Sequence, residues 1–363
     1  MAKTRSRTKV RKGMPSVALT RAEFTQRAHE HFVDPAFEPL QAEIGKVVDA
    51  AWDGYHEYRK APRTRRAGTR FANPDHELSV DWLRARDAVA AAERRQKSAT
   101  SKSRILLVNG SMRSDQTCPG EISKTWRLVE IARRVIEAER GFDVELLDLS
   151  LLASQYGRRI LPCKACVSTA MPLCHWPCSC YPNHALGQVD DWMNDIYPMW
   201  VAAHGVMIVT PVNWYQAPSG LKAMIDRLVC ADGGNPDPTS TSGKDPKKAK
   251  ALEMKGWTYP RHLAGRAFSV VVHADAGGAE TLRRILADWL TDIGLVSAGH
   301  AAELDRYVDY YGPYATSHDA LDRDHAFQEE TRNAARALVQ AVRLLRAGKL
   351  PKPDAKLADP RPK

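Results

Sequence analysis

Five of the seven cysteines in this 363-residue chain fall in one stretch, "CKACVSTAMPLCHWPCSC" (163–180). Cys163, Cys166, Cys174, Cys178 and Cys180 follow the spacing C-x2-C-x7-C-x3-C-x-C. Short spacings let neighbouring sulfurs converge, so two close pairs in one loop can place four thiolates around a single metal ion or cluster. Three chemistries compete: a metal or iron–sulfur site, a redox-active thiol pair, and a disulfide-stapled turn. The basic N-terminus "MAKTRSRTKVRKG" has no apolar stretch behind it and does not read as a secretory signal. The expected compartment is therefore the cytoplasm, where structural disulfides are rare and cysteine clusters are more often metal-binding or catalytic. Cys118 and Cys230 stand apart and read as buried thiols.

Three further segments carry groups suited to a bound ligand. In "NGSMRSDQTCPGEISKT" (109–125), Gly110 frees the backbone, while Ser111, Arg113, Ser123, Lys124 and Thr125 offer donors to an anion beside a helix N-terminus. The segment is neither a Walker loop nor the dinucleotide fingerprint. In "TPVNWYQAPSGLKAMIDR" (210–227), Pro211, Val212, Asn213, Trp214 and Tyr215 present aromatic surface and amide donors to a flat heteroaromatic ring. In "HADAGGAET" (273–281), Asp275 and Ala276 lead into Gly277 and Gly278, which permit close backbone approach. His273, His300 and the tyrosine-rich run 307–319 either line a pocket or pack against the last helix.

These segments need elements to hold them. Residues 104–348 alternate between apolar runs and amphipathic stretches, the grammar of a doubly wound α/β domain. The runs "RILLVNG" (104–110), "FDVELLDL" (142–149), "GVMIVT" (205–210), "RAFSVVVH" (266–273) and "LVSAGHAAEL" (295–304) read as strands of a parallel sheet. Ligands in such sheets sit beyond the carboxyl ends of the strands, where all three segments fall. Upstream, residues 14–100 form a helical extension, with Thr20 and Glu23 at capping-box spacing and a polar loop at 61–75. The cysteine-rich loop (162–182) and a long insertion (231–262) interrupt the α/β domain. A basic arm (1–13) and a tail (349–363) read as disordered.

The formal net charge of +10 is partly that arm: residues 1–12 hold six Lys or Arg and no acid, whereas 13–100 carry 14 basic against 13 acidic residues. None of the nucleic-acid motif sets is present, so a nucleic-acid partner is not expected. No apolar run is long enough to span a bilayer, so no membrane partner is expected either.

Taken in order, "NGSMRS…SKTWRLVEIA", "IVTPVNWYQAPSGLKAMIDRL" and "HADAGGAETL" resemble the NADPH-dependent FMN reductase branch of the flavodoxin-like superfamily, over about residues 104–304. Pro211, Ser219, Gly220, Lys222, Asp226 and Arg227 carry the most specific part of the match, and Asn213 stands where many members have Tyr. The resemblance implies a flavodoxin-like, five-stranded parallel sheet of order 2-1-3-4-5. It also implies FMN, with the phosphate near Ser111, Arg113, Ser123, Lys124 and Thr125, and the ring against 211–215 and 275–278. NADPH or NADH would supply hydride, a small-molecule acceptor would receive it, and a homodimer or homotetramer would complete the pocket. The cysteine loop, followed by "DDWMNDIY" (190–197), is similar to the cluster loop of iron–sulfur flavoproteins and implies a [4Fe–4S] cluster, with Zn²⁺ as the alternative cargo. A flavin-and-cluster electron carrier between protein partners is the rival to an enzyme.

Overall fold

The computed structural model describes residues 10, 18–57, 63–117, 120–181 and 191–351. The basic arm (Val10 apart), Cys118, Asp190 and the tail beyond Pro351 lie outside the described residues. Cα packing divides the chain into two compact units.

One unit comprises Asp87–Cys163, Trp192–Gly233 and the chain from Pro260 onward. Its strands β1 (Ser103–Asn109), β2 (Phe142–Asp148), β3 (Gly205–Pro211) and β4 (Ala267–Ala274) pair in parallel, in the order β2–β1–β3–β4. Ile105 to Val108, Val206 to Val209 and Val270 to Val272 are fully buried. A strand covered on both faces requires this unbroken apolar run rather than alternation. The helices Lys124–Glu137 and His325–Arg346 share one core with β1, which joins Ile105, Leu107, Leu128, Ile136, Leu338 and Val342. The closing helix starts where Asp324 accepts the Phe327 N–H at 2.9 Å, and its buried residues recur at helical spacing: Phe327, Thr331, Ala334, Leu338, Val342.

The expected fifth strand is corrected: it breaks in two, giving a six-stranded sheet. β5 (Val296–Ser297) pairs with the first residues of β4, and β6 (Glu303–Tyr307) pairs with the rest. Between them Gly299 adopts φ 104°, a conformation that glycine alone takes freely, and His300–Ala302 forms a 3-10 turn. Ser297 Oγ donates to Glu303 at 2.6 Å and Ser269 Oγ donates to the Ala302 carbonyl at 2.8 Å, which closes the loop-out.

Two buried histidines of this unit are held neutral. His204 Nδ1 accepts the Arg104 N–H at 2.9 Å and Nε2 lies 2.9 Å from the Gln96 carbonyl. Burial, and next the Arg346 charge, lower its pKa to about 4. Fully buried His273, at the end of β4, is lowered to about 3 by burial and then by Lys124. Both titrate near 6.5 when unfolded, so between that pH and their folded values the unfolded chain binds more protons and stability is lost as the pH falls. Each should cost on the order of 2 kcal/mol by pH 5. Urea denaturation should therefore give a plateau above pH 7 and a falling midpoint below 6.5; a midpoint unchanged down to pH 5 would contradict the neutral assignment.

The other unit comprises the residues up to Arg86, Lys164–Asp191 and Gly234–Tyr259. The capping box at Thr20 and Glu23 forms and opens the helix Arg21–His29, and Gln41–His56 follows. Phe24 packs against Trp52 and Tyr55, with ring centroids 5.4 and 5.1 Å apart. The stretch expected as a plain loop, 61–75, holds a short strand, Thr64–Arg66, antiparallel to Glu77–Ser79. Phe71, Leu78, Trp82 and Leu83 form a small core, and the Trp82 indole N–H donates to the Pro177 carbonyl at 3.0 Å. The insertion makes a helix, Pro246–Met254, capped by Asp245, and its Ala249 packs with Ala170 and Leu173 of the cysteine loop. No helix among the described residues is long and apolar enough to cross a membrane.

Candidate functional site

In the α/β unit the loop after β1 is wound on its own side chains. The Asn109 amide donates to the Asp148 carboxylate at 2.8 Å and to the Arg113 carbonyl at 3.2 Å. Its oxygen accepts the Ser111 N–H at 3.2 Å, and Ser111 Oγ accepts the Arg113 N–H at 3.1 Å. Only glycine fits at Gly110, because a Cβ there would lie 2.8 Å from the Thr210 side chain. Ser123 Oγ accepts the Trp126 N–H at 3.1 Å and donates to the Arg113 carbonyl at 3.0 Å, joining the loop to the helix it caps. The first-turn N–H groups and the helix dipole make this junction favourable to an anion.

All five expected anion donors meet at this loop–helix junction, and several also have internal partners. The Arg113 guanidinium donates to the Glu121 carbonyl at 2.7 Å. Lys124, nearly buried, is ion-paired with Asp275 of the loop after β4. Thr125 Oγ1 lies 2.8 Å from His273 Nε2. His273 Nδ1 is buried, with no hydrogen-bond partner among the described residues. A bare acceptor is cheaper to bury unpaired than an N–H. The proton therefore sits on Nε2, Thr125 accepts it, and the threonine hydroxyl keeps its own proton to donate.

The loop after β3 is strained where it is exposed. Trp214 and Tyr215 take φ 47° and 65°, left-handed values rare for bulky residues, and their exposures are 93% and 61%. Val212 N–H donates to the His273 carbonyl at 2.9 Å, and the backbones of Asn213 and Gln216 bond reciprocally, at 2.9 and 3.0 Å, which fixes the bend between half-buried Pro211 and the aromatic pair. The Gly277–Gly278 turn, reached through half-buried Ala276, abuts this bend. A Cβ at Gly278 would fall 3.2 Å from Tyr215 Cα, and one at Gly277 would fall 3.2 Å from the Tyr215 ring. Tyr311 N–H donates to the Asp275 carbonyl at 2.9 Å, which ties the tyrosine-rich segment to the same turn.

Within the other unit the cysteine loop and the insertion interlock. Cys166 Sγ and Cys180 Sγ lie 3.7 Å apart, and Lys244 Nζ lies 3.7 Å from Cys166 Sγ and 2.8 Å from the Leu173 carbonyl. The hydrogen bond from Cys180, helped by the Lys244 charge, lowers Cys166 to about 7 against its burial, and Cys180 is raised in turn. Burial would lower Lys244, but the sulfurs of Cys180, Cys166, Cys178 and Cys174 outweigh it and raise the lysine. Buried His175, held neutral chiefly by desolvation, lies 2.6 Å from Ser179 Oγ and 3.1 Å from Thr241 Oγ1. Cys163, half-buried, is the last residue of its segment in the α/β unit, and Cys230 is a buried thiol there.

Two thiolates on one tetrahedral ion stand about 3.8 Å apart, which Cys166 and Cys180 match. As they stand, however, no three or more His, Cys, Asp or Glu side chains among the described residues are gathered to hold a metal ion. An all-sulfur donor set beside a cation suits an iron–sulfur cluster or zinc in chemistry, and not a hard cation.

The α/β unit thus brings an anion-favouring loop after β1 and an exposed aromatic bend after β3 to the carboxyl ends of its parallel strands. Residues 103–287, just over half of the chain, match the model of the NADPH-dependent FMN reductase family. The chain belongs to that family and is an oxidoreductase, as its three loops imply. It is 27% identical over 196 residues to an iron-sulfur flavoprotein of Methanosarcina thermophila, a match covering 54% of this chain and 77% of that one. Among solved structures, RosB with a bound intermediate is similar at 13% identity, covering 68% of this chain and 82% of that one, with a TM-score of 0.45. An azoreductase from Bacillus anthracis str. Sterne is similar at 13% identity, covering 64% and 98%, with a TM-score of 0.36.

Lys244 is the site residue that sequence reasoning missed, since a lysine in a Lys-rich insertion carries no local signal. Asn109 and Asp148 were hidden too: each ends an apolar strand, and only the β1–β2 register makes them partners.

Proposed function

We propose that the protein binds FMN in its α/β unit, takes hydride from NADPH (or NADH) and reduces a small acceptor: a flavin, a quinone, a nitro- or azo-aromatic, or a metalloid compound. The observation that carries this is the exposed Trp214–Tyr215 pair, held in left-handed backbone against a Gly–Gly turn. Such strain persists where function requires it. When bound, FMN supplies the hydride-accepting and electron-donating chemistry itself. The chain's part is positioning. Ser111, Arg113, Ser123, Lys124 and Thr125 would hold the phosphate, with Thr125 kept a donor by neutral His273. Pro211, Val212, Asn213, Trp214 and Tyr215 would face the ring, with Asp275, Ala276, Gly277 and Gly278 closing its edge.

Four of Cys163, Cys166, Cys174, Cys178 and Cys180 would carry a [4Fe–4S] cluster, Zn²⁺ being the other cargo their chemistry admits. The alternative reading is an iron–sulfur flavoprotein electron carrier that passes single electrons between protein partners. We place the protein in the cytoplasm as a homodimer or homotetramer. Anaerobic purification followed by an absorption spectrum, iron and sulfide assays and NADPH oxidation against an acceptor panel tests all of this. Flavin bands with turnover are expected. Absence of flavin after reconstitution would overturn the flavin reading, flavin without iron the cluster, and no turnover with any acceptor the enzyme in favour of the carrier.

A further inference from the structure

We infer that the tyrosine loop after β6 is a wall of the acceptor site, and that the acceptor is an uncharged planar aromatic rather than a metalloid oxyanion; this rests on the FMN-dependent reductase reading above. Tyr307, Tyr310 and Tyr311 lie beyond residues 103–287, so the family match accounts for none of them. Their rings meet edge to face, with centroids 4.7 Å apart for Tyr307 and Tyr310 and 4.6 Å for Tyr310 and Tyr311. Core filler would be buried, yet Tyr310 is 58% exposed and Tyr311 71%.

The stack is fixed in place. Asp309 and Tyr311 take left-handed φ values of 56° and 55°. The Gly312 N–H donates to the Asp309 carbonyl at 2.8 Å, and Thr316 Oγ1 donates to the Asp309 carboxylate at 3.3 Å. A Cβ at Gly312 would run into that carboxylate, so only glycine fits there. At the foot of the stack, Tyr307 Oη donates at 2.7 Å to Glu280, in the first turn of the helix Ala279–Asp292.

The loop also shares its support with the aromatic bend. At the end of β4, the His273 carbonyl accepts the Val212 N–H, Ala274 accepts the Val308 N–H and Asp275 accepts the Tyr311 N–H, each at 2.9 Å. The bend that carries Trp214 and Tyr215 and the loop that carries the tyrosines therefore hang on one three-residue segment. That segment leads into the Gly277–Gly278 turn, assigned above to the flavin's edge. Sites for flat, apolar ligands are lined by such aromatic side chains with few polar groups. The charges set among these rings are carboxylates, Asp309 within the loop and Glu280 on Tyr307. The neighbouring cation, Arg306, is turned to Glu330 at 2.6 Å. This surface repels a small oxyanion and accepts an uncharged ring. A quinone or a nitro- or azo-aromatic meets that description. Reducing a quinone to its hydroquinone consumes the hydride that NADPH gives up and one proton from solvent, so the tyrosines need only bind and orient the ring.

The test compares wild type, Tyr310→Leu/Tyr311→Leu and Tyr310→Phe/Tyr311→Phe, each as the full chain loaded with FMN. Leucine keeps the bulk and the left-handed residue and removes the rings, whereas phenylalanine keeps the rings. Equilibrium dialysis of a neutral naphthoquinone without NADPH reads binding apart from turnover. The leucine pair should weaken it about tenfold, with a parallel rise in KM, and the phenylalanine pair should stay close to wild type. Ferricyanide, an anion with no ring to stack, should be reduced equally by all three. Unchanged naphthoquinone binding in the leucine pair, with FMN bound as in wild type, would overturn the inference and leave the reductase reading standing. An equal loss with naphthoquinone and ferricyanide would overturn it as well. So would a changed sedimentation coefficient with KM unaltered, which would make the stack an interface between copies of the chain. Wild-type protein that binds no FMN would remove the reductase reading, and the inference with it.

Discussion

Replacing both Trp214 and Tyr215 with glycine should make the FMN-free protein more stable and FMN binding weaker. The two effects have separate causes. A left-handed conformation costs a non-glycine residue about 1–2 kcal/mol, and glycine returns about 0.5–1 kcal/mol of that through its larger unfolded-state entropy. Trp214 is almost wholly exposed and offsets little by packing, so the double replacement should gain roughly 1–2 kcal/mol, or several degrees in Tm. Stacking of a flat ring on an aromatic side chain is worth about 1–3 kcal/mol, so FMN affinity should drop by roughly 30-fold or more. Thermal melting with and without FMN, and fluorescence titration with FMN, measure both. A double variant that gains stability and binds FMN as before would show that the aromatic pair is not the ring's platform. One that loses stability would show that the bend is not strained.

How far the sequence disclosed this architecture depended on whether a feature was local. Unbroken apolar runs marked β1, β3 and β4 because a strand buried on both faces admits little else. The break between β5 and β6 was illegible, since Val296, Ala302 and Leu304 are as apolar as a continuous strand would be; Gly299 was its one local mark. The sequence presents Lys124 and Asp275 as ligand-facing, yet nothing in a helix start and a loop 151 positions apart announces that they pair. Thr125 was read as an anion donor from its place on a helix N-terminus. The histidine beside its hydroxyl, His273, is fixed by the register of β4 and not by any pattern near Thr125. The cysteines were conspicuous and their lysine was not, because it reaches them through an insertion folded back with the N-terminal helices into one unit.

Asp275→Asn should separate a structural ion pair from a cofactor contact. Lys124 retains 9% of its side-chain exposure and Asp275 31%, so neutralising the aspartate leaves a nearly buried ammonium without its counter-charge. Breaking a fully buried pair costs about 3–5 kcal/mol; with the carboxylate one-third exposed, about 1–3 kcal/mol is expected here. The FMN-free variant should melt several degrees lower than wild type. A phosphate monoester carries close to two negative charges at neutral pH and can take the place of Asp275 at Lys124. FMN should therefore stabilise the variant more than it stabilises wild type, and bind it up to about tenfold more tightly as the competing carboxylate is lost. Riboflavin, which lacks the phosphate, should show no such gain. Lys124→Met should do the reverse, weakening FMN and sparing riboflavin. If Asp275→Asn weakens both flavins equally, Lys124 and Asp275 form a strut that shapes the two loops, and the phosphate must be held by Arg113, Thr125 and the helix N-terminus without the lysine.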